Sequence, residues 1–454
     1  MCRRLSLILL ICAARSYGQD AADSQTVMMQ RILQRLDALE KENRELVQEV
    51  RSLRQQLDTG QGNASSAPAD ASPPNQTLDE RVAVDEGRIA EQAQTKVEAS
   101  QKFPVQLTGM LLFNAFLNTG GDPGESPSEY GLLSGPGKSG ATVRQTLLGL
   151  NFQGPQLPAG GHVNGSLLMD FWAGPPVPGD SWLRLRQANL SFDWANRSFW
   201  VGQDKPLISP YQPDSLAQVG VPPLAYAGNL WLWLPQARYE ERFHFGDNSG
   251  LNAQVAVMQT NELYSNPPPE YASALQSARP AIEARLNFWH KFDDNRKFEI
   301  SPGFHASTTY VAGSPVNSRI GSLNWLYQTG HHLDISGTFY HGQDVAPIGG
   351  INNGFTITSS GSVLPVHSTG GWLQLAFPIT NRLTVNVFAG LEDDHAEYLF
   401  PDSIARNLAY ASNLMYHFGP NVIVSLEGQQ VRSRLASGSN ETRNNYDLAI
   451  GYLF

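Results

Sequence analysis

From about residue 105 onward, the hydrophobic positions of this chain recur with a period of two. The last ten residues show the pattern most clearly, because one parity is apolar or aromatic and the other is mostly small or polar. The apolar set is Tyr446, Leu448, Ile450, Tyr452 and Phe454. Successive strand side chains point to opposite faces, so this segment predicts a strand with one apolar face.

The same alternation predicts about sixteen strands between residues 105 and 454. Their lengths are roughly what a tilted membrane strand requires. The predicted spans are 105–118, 142–153, 161–172, 182–193, 197–204, 237–246, 250–259, 281–290, 297–311, 318–328, 333–343, 370–378, 382–392, 406–418, 422–434 and 445–454. Segments 142–153 and 182–193 change parity midway, which predicts a bulge or a displaced boundary in each.

The connections between these strands alternate in length. Those after even-numbered strands are mostly turn-like, as at 195–196 and 419–421. Most of those after odd-numbered strands are longer: 119–141, 205–236, 260–280, 344–369 and 393–405. Short turns on one side, long loops on the other and an even strand number are the rules of single-chain outer-membrane barrels. The predicted fold class is therefore all-β, a transmembrane antiparallel β-barrel.

Residues 29–57 instead repeat every seven residues, with mostly apolar side chains at the a and d positions of the heptad. This pattern predicts an N-terminal α-helical coiled coil over residues 19–58, and a single amphipathic helix packed on its own domain is the alternative. The run from Arg35 to Glu40 resembles a hexad of trimeric coiled coils: Arg, apolar, two free positions, apolar, Glu. Asn43 is polar at an a position, which fixes the register. The predicted trimerisation residues are Arg35, Leu36, Leu39, Glu40 and Asn43.

The remaining N-terminal segments complete the predicted domain organisation. Residues 1–18 have a basic start, an apolar core and a small-residue cleavage site, as a signal peptide has. Both cysteines, Cys2 and Cys12, lie within it, so no disulfide is expected in the mature chain. Residues 59–103 form a linker rich in Gly, Ser and Pro, followed by a weaker second helix, and residues 104–454 form the barrel.

Composition agrees with a large β protein. Only 16% of the residues are charged, there are 41 glycines, and the formal net charge is −10. This acidic balance argues against nucleic acid as a partner. After residue 18 no apolar run approaches the roughly 18 residues of a membrane helix, so a membrane form must be a barrel. No cofactor, no metal and no catalytic residue is expected.

The longest connection, 205–236, is the segment expected to set function. It contains six prolines and the apolar run Leu230 to Leu234. Such a run is too apolar for water, so it must pack inside the barrel, against a neighbouring subunit or against lipid.

The layout of signal peptide, coiled coil, linker, sixteen strands and a long third loop resembles the trimeric porins, whose third loop narrows the pore. More narrowly, Val201-Gly202-Gln203-Asp204 leading into a Pro-rich third loop resembles the DcaP-like and phosphate-selective porin group. The aromatic last residue also resembles the terminal signal of bacterial outer-membrane barrels. The resemblance implies a homotrimer in the bacterial outer membrane, with the coiled coil in the periplasm. Its partners would be lipid, lipopolysaccharide and small hydrophilic solutes that diffuse passively.

Arginines of one parity cluster around the third loop. An arginine facing lipid at mid-depth costs about 2–4 kcal/mol, so these side chains should face the lumen or its rims. They either attract anions such as small carboxylates or are neutralised by Glu240, Glu241, Glu283, Asp204 and Asp214. The loop itself has no Lys/Arg cluster, which disfavours a dedicated phosphate site. The predicted pore-lining residues are Arg144, Arg184, Arg186, Lys205, Asp214, Arg238, Glu240, Arg242 and Arg285.

Two other classes of function remain open. An outer-membrane hydrolase would need a Ser, a His and an orienting group, and the chain has no G-x-S-x-G motif. A structural tether would need only the coiled coil and a membrane anchor. The acidic residues between Glu392 and Glu397 are interpreted as a solvated outer loop bridged to lipopolysaccharide by counter-ions, and a divalent-cation site is the alternative.

Overall fold

The computed structural model describes residues 105–120, 129–131, 136–174, 181–262, 278–311, 313–330 and 332–454. The predicted signal peptide, coiled coil and linker lie outside the described residues. The same holds for the five predicted trimerisation residues, from Arg35 to Asn43. No helix among the described residues is long and apolar enough to cross a membrane.

The described chain consists of nineteen strands and three single-turn 3-10 helices. The strands are β1 Val105–Asn118, β2 Lys138–Thr142, β3 Leu147–Leu157, β4 Gly161–Ala173, β5 Trp182–Asp193, β6 Arg197–Asp204, β7 Leu234–His244, β8 Ser249–Asn261, β9 Ala278–Lys291, β10 Lys297–Val311, β11 Ser314–Gln328, β12 Asp334–Gln343, β13 Phe355–Ile357, β14 Val363–Pro365, β15 His367–Pro378, β16 Leu383–Asp394, β17 Ile404–His417, β18 Val422–Leu435 and β19 Asn440–Leu453. The 3-10 helices are Pro158–Gly160, Ala346–Ile348 and Ala396–Tyr398.

The strands close into one antiparallel barrel. Each barrel strand pairs with its neighbours along the chain, and β19 pairs back onto β1, so no sheet edge is left open. Strands β2 and β3 both pair with β1 and are two parts of one interrupted strand. Strands β13 and β14 form a separate hairpin. The barrel therefore has sixteen strand positions, which confirms the predicted fold class for this part of the chain.

The two parities of each strand face different environments. On β19, Tyr446, Leu448, Ile450 and Tyr452 are exposed on the outside, while Asp447 and its same-parity neighbours are buried inside. Exposed Leu, Val, Ile and aromatic side chains continue this belt on the other strands. Soluble proteins rarely expose a contiguous apolar surface of that extent, so the belt belongs against lipid.

The two segments with a change of parity are both irregular. In β5, Arg186 is an extra residue opposite the Leu168–Met169 step of β4, which is a β-bulge. Between β2 and β3, residues 143–146 leave the sheet, and the Thr146 hydroxyl accepts a hydrogen bond from the Leu112 amide. Both irregularities turn polar side chains toward the interior.

Two outer loops fold into the barrel and build an apolar core there. They are residues 205–233, called loop L3, and residues 344–366, called loop L6. A cluster of buried side chains joins both loops to the inner wall: Leu207, Ile208, Leu230, Leu234, Ala256, Met258, Ala281, Ile320, Tyr340, Val345 and Ile348. Burying each large apolar side chain contributes about 1.5–3 kcal/mol. The Leu230–Leu234 run therefore packs inside the barrel.

Candidate functional site

Loop L3 is anchored where it leaves the wall. The amides of Leu207 and Ile208 both donate to Glu283 Oε2, a fully buried carboxylate on β9. The other oxygen, Oε1, lies 2.8 Å from His305 Nδ1. The Ile208 carbonyl accepts hydrogen bonds from Ser322 and Asn324 on β11. Buried backbone groups need such partners, and this wall supplies them.

The tip of L3 crosses to the opposite wall. Asp214 exchanges hydrogen bonds with Gln374 on β15, and Ser215 and Gln218 both donate to Glu427 on β18. The Gln145 side chain, from the break between β2 and β3, accepts from the Val219 and Gly220 amides. The loop thus contacts the inner wall on several sides and divides the lumen.

A basic wall lies beside L3. It is formed by five arginines and one lysine that point inward from β5, β7, β9 and the start of L3. These residues are Arg184, Arg186, Arg238, Arg242, Arg285 and Lys205. Each belongs to the predicted pore-lining set.

Four carboxylates form ion pairs with this wall. Asp170 lies 2.6 Å from Arg184 and 3.6 Å from Arg186. Asp204 lies 3.3 Å from Arg238, while Glu240 and Asp193 lie 2.5 Å and 4.0 Å from Arg242. Six basic groups against four paired carboxylates leave the wall with an excess of two positive charges, before the more distant acids are considered. Arginine stays protonated in proteins, so most of this excess is permanent.

Lys205 and Arg285 form no ion pair within the described residues, and Arg186 is compensated only through its 3.6 Å contact with Asp170. Within the described residues, no carboxylate lies within ion-pair distance of the Lys205 ammonium. Burial lowers the pKa of Lys205 to about 8, although nearby Asp204 opposes the shift. Arg186 is 6% exposed, and its Nε and Nη1 have no hydrogen-bond partner. Its guanidinium lies 4.5 Å from the Trp233 ring centroid, a cation–π contact.

Other predicted site residues serve L3 or the wall itself. Arg144 donates to the carbonyls of Trp172, Ala173 and Gly174, where β4 ends, so it is not part of the basic wall. Asp214 belongs to the L3 tip. Glu283 and Asp214, expected as possible neutralising acids, bind L3 backbone and Gln374 instead of an arginine.

Several residues of the site were missed in the sequence. Asp170 compensates two arginines, and Gln187 donates to Asp204. The guanidinium groups of Arg184 and Arg186 both lie over the Trp233 ring in cation–π contacts. The parity change in β5 was the available signal, because the bulge directs the consecutive Arg186 and Gln187 side chains toward the same interior.

The acidic residues near Glu392 separate in space. Glu392 accepts the Ile351 amide and the Tyr340 hydroxyl inside the barrel. Asp394 accepts Asn353, also from L6. Asp393 points outward and pairs with Arg406. Two of these acids therefore hold L6 in the lumen, which corrects the picture of one solvated acidic loop.

A second acidic contact holds L6 to the neighbouring outer loop. Glu262 follows β8, Asp344 follows β12, and their carboxyl groups are hydrogen-bonded to each other. Burial raises the pKa of Glu262 to about 7. Burial and the neighbouring Glu262 raise the pKa of Asp344 well above its usual range. The pair is therefore most stable when it retains a proton.

We expect the L6 contact to weaken as pH rises. When packing of a loop raises the pKa of a carboxyl group, that group stabilises the packed loop at pH values below its ordinary pKa. This stabilisation is lost as the pH rises through the raised pKa. Loop L6 should be cut faster by a protease at pH 9 than at pH 6, relative to an unstructured substrate at each pH. Glu262→Gln should flatten this dependence, and Glu397→Gln, at an exposed carboxylate, should not. If the rate of L6 cleavage relative to the unstructured substrate were the same at both pH values in the unmodified protein, the prediction would be contradicted.

No family model matches the sequence, and no curated protein matches it. Solved structures do match the fold. The outer membrane channel DcaP of Acinetobacter baumannii is 16% identical with a TM-score of 0.66, over 77% of this chain and 97% of that one. The anion-selective porin from Comamonas acidovorans is 13% identical with a TM-score of 0.51, over 77% and 99%. OmpF of Salmonella typhi, in complex with daunomycin, is 12% identical with a TM-score of 0.51, over 77% and 97%.

These matches define the class of fold as that of the sixteen-stranded outer-membrane porins. At this level of identity they establish architecture alone. The resemblance to the DcaP-like porins that the sequence predicted is confirmed as a likeness of fold.

Proposed function

We propose that this protein is an outer-membrane porin, a passive diffusion channel for small hydrophilic solutes. The observation that carries the proposal is L3, which is folded inside a closed barrel beside a basic wall that is only partly compensated by carboxylates. A loop folded inside a barrel narrows its lumen, and charged rings are how pores select ions. The structural likeness to porins supports the same class.

The excess charge favours anions, and we propose small carboxylates as the preferred class. Arginine binds a carboxylate through two parallel hydrogen bonds. Arg184, Arg238 and Arg242 keep partly exposed side chains beside L3. Lys205 adds a further positive charge at the start of L3. The loop itself has no cluster of basic residues, which disfavours a dedicated phosphate site.

We also propose that the channel is a homotrimer and that its N-terminal region stands in the periplasm. The heptads from residue 29 to residue 57 support this assembly. A tether between the membrane and the cell wall is compatible with the same segment, and it does not account for the basic wall.

One observation bears on the hydrolase alternative. Ser307 Oγ lies 3.4 Å from His305 Nε2, and His305 Nδ1 lies 2.8 Å from Glu283, in the order of a catalytic triad. The Ser–His distance is long for a hydrogen bond, and the imidazole is fully buried. The carboxylate already holds two L3 amides. The group therefore serves as an anchor for L3, and the channel is the better-supported function.

Recording from the detergent-extracted full chain in planar bilayers, with a salt gradient, tests the proposal. We expect conductance steps in groups of three and a reversal potential that favours anions. Cation preference would retain the porin and refute the role of the basic wall. A folded, heat-modifiable protein without conductance would refute the porin itself.

A further inference from the structure

Four carboxylates contact loop L6 or begin it, and none of them has a basic partner. Glu392 and Asp394 of β16 accept hydrogen bonds from L6 groups. Glu262, which follows β8, is in contact with Asp344 at the start of L6. Among the described residues, no Lys, Arg or His lies within ion-pair distance of any of these four acids. A carboxylate withdrawn from water needs donors, a proton or a counter-charge in return.

The Glu262–Asp344 pair lacks the donors that the other acids have. Glu392 accepts a hydrogen bond on each of its oxygens, one from L6 backbone and one from the Tyr340 hydroxyl. In contrast, Glu262 Oε1 and Asp344 Oδ1 are buried atoms that accept no hydrogen bond from any N–H or O–H group of the described chain. The Asp344 side chain is 1% exposed. Since both oxygens are acceptors, a proton or a cation has to lie between them.

The two oxygens converge on Gly354 of L6. A Cβ atom on this residue would lie 2.5 Å from Asp344 Oδ1 and 2.6 Å from Glu262 Oε1, so the two oxygens are about 5 Å apart or closer. Oxygen ligands lie roughly 2.3–2.6 Å from Ca²⁺, and two ligands of one ion therefore share this upper limit of about 5 Å. Because Gly354 carries no side chain, neither oxygen is covered from that position. The separation of the pair suits two ligands of one ion.

We propose that Glu262 and Asp344 bind Ca²⁺ and that the ion fixes L6 inside the barrel by joining it to the loop after β8. No group of three or more acidic, histidine or cysteine side chains is placed to hold a metal within the part of the chain that the structure describes. The remaining ligands are therefore neutral oxygens of backbone, amide side chains or water. Ca²⁺ accepts such mixed oxygen ligands in irregular geometry, whereas Mg²⁺ demands an octahedron and Zn²⁺ favours nitrogen and sulfur.

A shared proton is the competing occupant of this contact. One proton joins the two oxygens but leaves the pair with a buried negative charge, and no basic group of the described chain lies beside it to compensate. A divalent cation neutralises both carboxylates at once, which avoids the large cost of an unpaired buried charge. On grounds of charge, Ca²⁺ is therefore the better occupant.

Equilibrium dialysis of the full chain in detergent against radioactive Ca²⁺, at pH 8 after treatment with EDTA, tests the site. We expect the unmodified protein to bind one more Ca²⁺ per chain than Glu262→Gln with Asp344→Asn, a difference that excludes ions held by residual anionic lipid. Asparagine tolerates the left-handed backbone of Asp344, where φ is 53°. Ca²⁺ should also slow hydrogen exchange over residues 344–357 at least threefold relative to EDTA, and only in the unmodified protein. The control Glu392→Gln should loosen L6 elsewhere and still bind the ion.

Three results would overturn the proposal. They are equal Ca²⁺ binding by the unmodified protein and the double variant, exchange of L6 that is the same in Ca²⁺ and EDTA, and an equal loss of binding in Glu392→Gln. Equal affinity for Mg²⁺ would refute the assignment to Ca²⁺. The single variant Glu262→Gln serves if the double variant misfolds, because Glu262 follows the last paired residue of β8. Neither measurement needs a bilayer, so the ion site and the proposed porin function fail separately.

Discussion

Replacing Lys205 with glutamate is expected to shift the reversal potential of the channel toward cations. A unit charge 6 Å from a permeating ion contributes roughly 3 kcal/mol at an effective dielectric constant of about 20, and under 1 kcal/mol in bulk water. Reversing the sign of an uncompensated charge should therefore change the anion-to-cation permeability ratio by on the order of tenfold or more. Planar-bilayer recording under a salt gradient measures that ratio.

Lys205 is the cleanest position for this experiment. Arg184 also belongs to the basic wall, but it donates to the Gly220 carbonyl and pairs with Asp170, so its reversal would disturb L3 as well as the charge. The pKa of Lys205, lowered to about 8 by burial, adds an internal check. Anion preference in the unmodified channel should decline between pH 7 and pH 9, and Lys205→Arg should remove that decline.

The matched control is Arg319→Glu, which makes the same change of charge on the outer face of β11. It should leave the permeability ratio unchanged, because lipid and barrel separate it from the conducting path. Unchanged selectivity in Lys205→Glu would show that this side chain does not line the path. Equal shifts in both variants would mean that overall charge, rather than the basic wall, sets selectivity.

Replacing Glu283 with alanine is expected to release the start of L3 while the barrel remains closed. The change leaves the Leu207 and Ile208 amides and the His305 ring without their buried acceptor. Each such loss costs about 1–3 kcal/mol. The barrel hydrogen bonds of β9 are backbone bonds and persist. We expect a higher and noisier single-channel conductance, faster hydrogen exchange over residues 205–212, and a lower thermal midpoint.

Two control variants separate this anchor from other effects. Glu241→Ala removes a carboxylate on the outer face of β7 and should change neither conductance nor exchange. Ser307→Ala should also leave both unchanged, because Ser307 holds no part of L3. If Glu283→Ala left the conductance and the exchange of L3 as they are, the proposed anchor would be wrong. Ester hydrolysis by the unmodified protein that both Ser307→Ala and Glu283→Ala abolished would instead favour the hydrolase.

The barrel could be predicted from the sequence because its signal is local. Side-chain direction in a strand depends only on parity, so apolar alternation at Tyr446–Phe454 already defines a face. The bulge at Arg186 was visible for the same reason, since an extra residue interrupts the parity. Loop L3 was recognisable as the segment to examine, because its Leu and Trp run could not remain in water.

The partners within the lumen were decided by the tertiary structure alone. Glu283 and Asp170 are both inward-facing acids on barrel strands, and nothing in their neighbouring residues distinguishes them. Glu283 accepts hydrogen bonds from loop backbone, because the path of L3 brings its amides to β9. Asp170 instead pairs with two arginines, because β4 lies beside β5. Similarly, Arg144 and Arg186 both lie where the strand parity changes. Arg186 pairs with Asp170 in the lumen, whereas Arg144 donates to backbone carbonyls at the end of β4. The alternation of apolar and polar residues thus determined the barrel, whereas the balance of charge in the lumen depends on contacts between segments far apart in the chain.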